Sequence, residues 1–420
     1  MLGVGIDWAE EFHLVAIGRP GDGVFDVSRV EHDPRSIDAL IVRIARLEPD
    51  PAEVRVVLET SYGMLVERLL DAGFTVVPVN PDLVARRRGP AKKKDDEEDA
   101  RIACRIALDR FEQLRVLIPH GEAAAELRAI ARDDERATRD ERRILNRLRA
   151  DLIATFPAAL AIAGHDMGAP TFLRLLERWP TAKALASVSR DELVAFARAG
   201  HHRDAARFAE RIEAALAEDN FVAREWLVRA KADTITLAAT QLLAIGRQRR
   251  RWERRMGELL VGASRTKGSN AGDLGRGPVV PGGEIYLSFA GLGVRLAARV
   301  AAEIGDITNF ETPNGLQCYA GKAPVTRRSG KHDLVVANRL ACNTHLRDAV
   351  QIWAFTSLRW SGWAREFYDA HRSRGHGHHA ALRALGNRWL EVLWHCLTHH
   401  VAYDEIIHVA NRNRALARAA

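Results

Sequence analysis

The sequence predicts an α/β sheet in its first 115 residues and a mostly helical chain beyond it. Three observations carry this. Short runs rich in β-branched residues (Gly3 to Asp7, His13 to Ile17, Val24 to Val30) follow one another closely and then alternate with helical patterns. From Gly121 to Phe156, and again from Asp204 to Val261, no proline interrupts a largely helical composition. Gly262 to Gly283 holds seven glycines among polar residues and reads as a flexible linker. The expected organisation is therefore an α/β domain over 1–115, a helical or coiled-coil region over 120–262, a linker over 263–283 and a mostly helical domain over 284–408.

In order, the first two runs are close enough to form a hairpin, and Val24 to Val30 adds a third strand. Pro34-Arg35-Ser36 opens a helix through Leu47. Val54 to Leu58 is a buried-strand run ending at Glu59, and a helix from Met64 to Asp71 leads to a strand over Thr75 to Val79. Three strands followed by helix–strand alternation put Asp7 and Glu59 at the C-terminal ends of strands. That edge is where open α/β sheets bind ligands.

In the middle region Leu127, Ile130, Ala137, Ile144 and Leu148 follow a seven-residue seam, with Asp134 and Glu141 on two seam positions and Pro157 closing the segment. Ser189 and Glu192 are spaced as a capping box. As one helix, Asp204 to Val261 would be about 85 Å long. It must either break near Asp219-Asn220 or form an arm. Past the linker, Gly291-Leu292-Gly293 lies between two helical runs, the pattern of a helix-hairpin-helix whose glycines let backbone N–H groups approach a phosphate. Arg327-Arg328-Ser329-Gly330-Lys331 places a hydroxyl among three cations in an expected loop. The final helical region is apolar on one side through Leu385, Trp389, Leu390, Leu393, Trp394 and Leu397.

The 420 residues are 47% hydrophobic, enough for real cores, and a net charge of +7 favours a polyanionic partner such as nucleic acid. The four cysteines, Cys104, Cys318, Cys342 and Cys396, form no CxxC, which excludes a zinc ribbon and a disulfide framework. They read as buried thiols in a reducing cytoplasm. No apolar run is long enough to span a bilayer, and no basic leader opens the chain, so a cytoplasmic, non-membrane protein is expected.

The densest charge pattern is Arg86-Arg87-Arg88 and Lys92-Lys93-Lys94 followed by Asp95, Asp96, Glu97, Glu98 and Asp99. Acids in a first helical turn complement the helix dipole, so a plain helix start accounts for them when taken alone. Asp96 and Asp99 at i and i+3 share a helix face, as do Asp95 and Asp99 at i and i+4. Joined by Asp7 and Glu59, they make a set of carboxylates that is costly unless a cation neutralises it. Two Mg²⁺ ions about 4 Å apart would do so and would activate a nucleophile at a phosphodiester. Oxygen-only donors suit Mg²⁺, with Mn²⁺ as an alternative, over zinc. The basic run would then attract phosphate beside the metal site.

These residues resemble the DEDD insertion-sequence transposases called the IS-one-ten family, bridge-RNA-guided DNA recombinases. Gly5-Ile6-Asp7-Trp8-Ala9 is similar to the family's first motif and Leu58-Glu59-Thr60-Ser61-Tyr62-Gly63 to its second. The third, Lys-Thr-Asp-x-x-Asp-Ala, falls on Lys94 to Ala100, with Asp95 in place of threonine. The resemblance implies a RuvC-like, ribonuclease-H-type domain with Asp7, Glu59, Asp96 and Asp99 as its catalytic, metal-binding acids. Downstream, Ala290 to Gly293, Ala302-Glu303-Ile304-Gly305-Asp306, Phe310 and Tyr319 to Pro324 resemble the family's transposase domain. There the family usually has Gly-Leu-Ala-Pro, and this chain has Gly321-Lys322-Ala323-Pro324. The likeness implies that Ser329, before Gly330, is a nucleophile forming a phosphoserine-type intermediate with DNA, and that the partners are donor and target DNA, a guide RNA and further copies of the chain in a dimer or tetramer. Acids and serine, far apart in sequence, would meet across protomers. Expected nucleic-acid contacts are Arg86, Arg87, Arg88, Lys92, Lys93, Lys94, Gly291, Gly293, Arg327, Arg328 and Lys331.

Other readings make distinct predictions. An actin-like or sugar-kinase-like ATP site needs a glycine soon after the first aspartate, where Trp8-Ala9 stands. A RuvC-type junction endonuclease would use the acids without Ser329, and a nucleic-acid scaffold would use neither. His371, His376, His378 and His379 fit no structural zinc spacing and read as a basic polar loop. Trp353, Trp360, Trp363, Trp389 and Trp394 read as core.

Overall fold

The computed structural model describes residues 1–79, 81–85, 87, 95–109, 114, 116–117, 121–218, 223–262, 279–329, 332–336, 339 and 342–419. It contains two compact units, Met1–Pro119 and His120–Ala420.

In the first unit β1 (Leu2–Asp7), β2 (Phe12–Arg19), β3 (Gly23–Glu31), β4 (Val54–Leu58) and β5 (Thr75–Pro78) form one sheet in the order β3-β2-β1-β4-β5. β1 pairs antiparallel with β2 and parallel with β4, and β4 pairs parallel with β5. Helix α1 (Pro34–Leu47) starts where expected because Asp33 accepts hydrogen bonds from the Arg35 and Ser36 N–H groups and Pro34 supplies the first helical φ. It buries Ile37, Leu40 and Ile44, and α2 (Met64–Asp71) buries Leu65, Val66 and Leu69, both against Leu2, Val4, Ile6, Val54, Val56 and Leu58. The short α3 (Pro81–Ala85) follows β5.

α4 (Asp96–Asp109) covers the opposite face of the sheet, packing on β1, β2 and β4. Side chains alternate between faces along a strand, so Gly3, Gly5 and Asp7 share the α4 side, as do Val57 and Glu59 by the same parity. The glycines are what admit the helix. A Cβ on Gly5 would lie 2.1 Å from the Cys104 backbone nitrogen and 2.2 Å from the Ala100 carbonyl oxygen.

In the second unit α5 (Glu122–Thr155) and α11 (Glu225–Val261) are long helices packed on one another. Arg255 bonds Glu126, Arg249 bonds Asp134 and Lys231 pairs with Asp151, a reversed order that makes the helices antiparallel. The two acids that break the apolar seam are thereby accounted for. Arg249 donates to Asp134, which is buried, at 2.8 Å and also to half-buried Glu141. Between the long helices, α6 (Ala158–Ala163), α7 (Pro170–Arg178), α8 (Ala182–Ala186), α9 (Arg190–Ala199) and α10 (Ala205–Ala217) fold around Phe172, Leu176, Leu193, Phe208 and Ile212. Ser189 caps α9 by accepting from the Glu192 N–H at 3.3 Å, as its spacing predicts. The Asp204–Val261 stretch breaks after Ala217; its expected break point, Asp219-Asn220, lies outside the described residues.

The chain continues through α12 (Gly283–Leu287), α13 (Val294–Ile304), α14 (Pro313–Tyr319), the hairpin β6 (Val325–Ser329) and β7 (His332–Val336), then α15 (Thr344–Ser357), α16 (Gly362–Ser373), α17 (His378–Thr398) and α18 (Glu405–Ala419). Its core joins Trp353, Trp389 and Leu393 to Leu127 of α5 and Met256 and Leu260 of α11, so the long helices and the C-terminal helices share one hydrophobic core. Most of the expected linker, 263–278, lies outside the described residues, but Val280 is buried and its N–H bonds the Leu259 carbonyl at 2.8 Å. Trp353, Trp363 and Trp389 are core as expected and Trp394 packs at its margin, whereas Trp360 is 67% exposed. It follows the last turn of α15, where the chain leaves the core. No helix is long and apolar enough to cross a membrane among the described residues.

Candidate active site

The sheet register places the first two acids side by side. Ile6 pairs with Leu58 on parallel strands, so Asp7 and Glu59 are the next residues out on neighbouring strands. The α4 register brings the other acids to the same place. A Cβ on Gly3 would meet Leu108 and Cys104, and one on Gly5 would meet Cys104 and Ala100. Each two-residue step along β1, about 6.6 Å, thus advances about four residues toward the N-terminus of α4. The next step sets Asp7 level with Asp96 to Ala100.

Within the acidic run the roles separate. Asp95 precedes the helix and its Oδ1 accepts from the Glu97 N–H at 3.1 Å, so its carboxylate caps α4. Glu98 bonds Arg105 at 2.8 Å. Asp96 is exposed in the first turn, and Asp99 is buried at 5% exposure where α4 meets the sheet. Asp95 thus serves the helix-start reading, while Asp96 and Asp99, three residues apart on α4, differ in exposure. Asp7, Glu59, Asp96 and Asp99 offer only carboxylate oxygens, a donor set whose chemistry suits a hard divalent cation. Among the described residues no group of three or more His, Cys, Asp or Glu side chains is gathered closely enough to hold a metal ion, so these side chains would have to draw together around one.

Behind Asp7 stands a brace that the sequence reading did not identify. His13 on β2 is fully buried, its Nδ1 accepts from the Ala9 N–H at 3.4 Å and its Nε2 lies 2.8 Å from His32 Nδ1. Since Nδ1 accepts, Nε2 carries the proton and donates it to His32. Burial, aided by His32, pushes the His13 pKa down to about 4, which keeps the ring neutral at pH 7. Trp8 stacks on it at 6.3 Å between ring centres, so the chain just after Asp7 rests on a fixed surface. Histidine at a buried position of an alternating strand was the available signal.

In the second unit the expected loop around Ser329 is instead part of a hairpin. Arg327, Arg328 and Ser329 belong to β6, with Ser329 in register with His332 of β7. The spacing Ser-Gly-Lys-His, two residues between two β-type runs, is the hairpin signal that the cluster of cations obscured. Gly330 and Lys331 lie outside the described residues, as do Arg86, Arg88, Lys92, Lys93 and Lys94; Arg87 is described, and half-buried, in the turn after α3. Gly291 has φ +82°, and a Cβ on it would lie 2.7 Å from the Ser357 backbone nitrogen, so its glycine is needed to seat the α12–α13 turn on the end of α15. Gly293 is exposed at the start of α13, with no atom within 4 Å of a Cβ built there. Glu303 is also structural. It is buried, bonds Arg132 of α5 in a two-pronged pair at 2.8 and 3.1 Å, and accepts from Asn343 at 2.8 Å. Burial works to raise its pKa, yet Arg132 and Asn343 hold it below the usual carboxylate value.

Comparison with known proteins identifies the family of the chain. A transposase model of the DEDD IS110 type matches residues 4–157, and one described as the transposase IS116/IS110/IS902 family matches 283–369. A mini-circle protein of Streptomyces coelicolor, named as a transposase for IS117, is 32% identical over 410 residues, covering 96% of this chain and 95% of its own. The chain belongs to the IS110 family of transposases. A 43.6 kDa protein of insertion element IS110 from Streptomyces coelicolor is 29% identical over 80% of this chain and 78% of its own. A 44.8 kDa protein of insertion element IS116 from Streptomyces clavuligerus is 27% identical over 93% of each. This transposase is thus a DNA recombinase whose DEDD domain implies a divalent metal.

The transposase carries one unusual buried charge. Lys322, at 4% exposure, bonds Gln351 Oε1 at 2.7 Å. Burial first, then the nearby Arg383, pushes its pKa down to about 7. In the unfolded chain lysine titrates near 10.5, so the penalty for burying the ammonium is full below about pH 7 and is relieved as pH rises toward the unfolded value. Lys322→Leu, the residue the family usually has, is expected to raise stability by about 2–3 kcal/mol at pH 6, with the gain shrinking toward pH 10. Urea midpoints of both proteins across that range measure it, and a gain that does not vary with pH would count against this account.

Proposed function

We propose that this transposase is a guide-RNA-directed recombinase of its insertion sequence, with Asp7, Glu59, Asp96 and Asp99 holding Mg²⁺ and Ser329 as the nucleophile. The observation that carries the reading is the convergence in backbone register of Asp7, Glu59 and the first turn of α4 on one edge of the sheet. The strand order β3-β2-β1-β4-β5, three antiparallel strands followed by two parallel ones, supports the ribonuclease-H-type assignment. Bound Mg²⁺ would supply Lewis-acid stabilisation of charge on the phosphate oxygens. The chain's own groups do the rest. Ser329 Oγ attacks the scissile phosphorus, its bond to phosphorus forms as the bond to the 3′ oxygen breaks, and the hydroxyl proton ends on the departing 3′-OH. The 5′-phosphoserine conserves the phosphodiester until another 3′-OH attacks it and releases Ser329.

Exposed Gly293, at the α13 N-terminus of a short helix–turn–helix, would approach a phosphate, with Arg327, Arg328 and Lys331 around Ser329 and the basic residues from Arg86 to Lys94 giving further contacts. The antiparallel pair of α5 and α11 would act as a coiled-coil arm in a dimer or tetramer, bringing the acids of one copy to the serine of another, in the cytoplasm. The test is a labelled donor DNA incubated with full-length protein, Mg²⁺ and co-purifying RNA. Wild type should yield a denaturation-resistant protein–DNA adduct that Ser329→Ala loses together with strand transfer. Full cutting by Ser329→Ala without any adduct would instead establish hydrolysis by the acids, and the absence of one structured RNA from the purified protein would remove the guide.

A further inference from the structure

We infer that the outward face of α11 formed by Arg247, Arg250, Arg251 and Arg254 is a binding site for the phosphate backbone of duplex DNA. It is distinct from the acids, Ser329 and the basic stretches discussed above, and it stands without them.

The arginines of α11 divide into two kinds. Arg249, largely covered, and Arg255, partly exposed, are taken up by Asp134, Glu141, Glu126 and Glu258. Arg247, Arg250, Arg251 and Arg254 are exposed, and none of the four forms an ion pair with an acid among the described residues. Acids nearby are already engaged. Glu253 bonds Arg295 at 3.0 Å and Glu258 bonds Arg255 at 3.3 Å, so the positive potential of this face is not cancelled by its neighbours. Spacings of three, four and seven residues place the four guanidinium groups within a sector of about 100° and along about 10 Å of helix axis. Phosphates of one DNA strand advance about 3.4 Å each, so the row can meet two or three in succession.

The row is also held in position. Its helix is fixed by the Arg249 and Arg255 ion pairs and by buried Met256, Leu259 and Leu260, all outside the arginine sector, so binding need order only the side chains. Planar guanidinium forks suit phosphate oxygens. The large exposed apolar residues of α11 are Trp226, Leu237 and Val261. No exposed aromatic ring lies in the arginine sector to stack unpaired bases, which favours a duplex backbone over a single strand.

The experiment compares wild type with R247Q/R250Q/R251Q/R254Q as full-length proteins, titrating a random-sequence DNA duplex across a salt series. Expected are an affinity lower by about ten-fold or more and a log–log salt slope shallower by about 2 to 3. Restoration of the slope in the four-lysine version would support a phosphate site. Unchanged affinity and slope would overturn it, as would a loss confined to duplex RNA. If the fourfold variant melts below wild type, the pairs R247Q/R251Q and R250Q/R254Q are compared, and each should shift the slope by about 1 to 1.5 while melting normally; no shift in either pair overturns the site.

Discussion

Asp7→Asn is expected to lower strand cleavage and transfer by at least about a thousand-fold, roughly 4 kcal/mol in barrier, while the protein remains folded. Asparagine keeps the size and shape of the side chain at the end of β1, so the pairing with Leu14 and the adjoining strand β4 have no reason to change. What it removes is negative charge at the edge that Asp7 shares with Glu59 and the first turn of α4. A divalent cation held there, as proposed, would lose one carboxylate ligand and a full unit of attraction. Two measurements distinguish this from a structural effect. Mg²⁺ or Mn²⁺ should raise the melting temperature of wild type by mass action and shift Asp7→Asn less. Glu97→Gln, an exposed change in the same acidic run, should behave as wild type in both assays. Equal activity in Asp7→Asn would remove the acid site, and equal loss in Glu97→Gln would make general charge at the helix start the cause.

Much of this was readable from local pattern. The start of α1 follows directly from Asp33 and Pro34, because a cap and a proline leave little freedom at a helix start, and α2, which has neither, still runs over the expected Met64 to Asp71. Glu59 was legible as the residue that ends the β-branched run Val54 to Leu58. Strand ends and helix spacing put Asp7, Glu59 and the acids of α4 forward as a set, and the resemblance named their roles; the structural link is the glycine parity of β1, which becomes informative once α4 is known to lie on it. Long-range ion pairs were not legible. Asp134 and Glu141 interrupted an apolar seam because their partner, Arg249, comes from α11. Ser329 was placed in a loop because cations and glycine signal turns, whereas Val325 and the apolar residues of β7 form a hairpin around it. Lys322 read only as a cation standing where the family usually has leucine, and its burial is set by α15 and α17 packing, which no local window contains.

Gly5→Ala is expected to be the most damaging single methyl group in the first unit. The added carbon would sit 2.1 Å from the Cys104 nitrogen and 2.2 Å from the Ala100 oxygen, both backbone atoms in the middle of α4. A side chain could rotate away, but a helix backbone can only move as a body. Overpacking of cores costs about 1–3 kcal/mol, and a clash with backbone on this scale belongs at or above the top of that range. Gly3→Ala makes a useful comparison, since its nearest contact is the end of the Leu108 side chain at 2.6 Å, which has rotamers to use. Its cost should be smaller. Gly121→Ala, with nothing within 4 Å, should cost a few tenths of a kcal/mol. The same displacement has a functional consequence, because α4 carries Asp96 and Asp99. Even at a temperature where Gly5→Ala is folded, a shift of α4 of the size needed to admit a methyl group moves those carboxylates away from Asp7, and catalytic geometry tolerates about 0.5 Å. Activity should therefore fall further than the folded fraction does. Thermal melts give the stability order, Gly5→Ala below Gly3→Ala below Gly121→Ala, and adduct formation at a temperature where all three are folded gives the functional one. If Gly5→Ala melted with wild type and retained full activity, the close seating of α4 on β1 would not be what positions the acids.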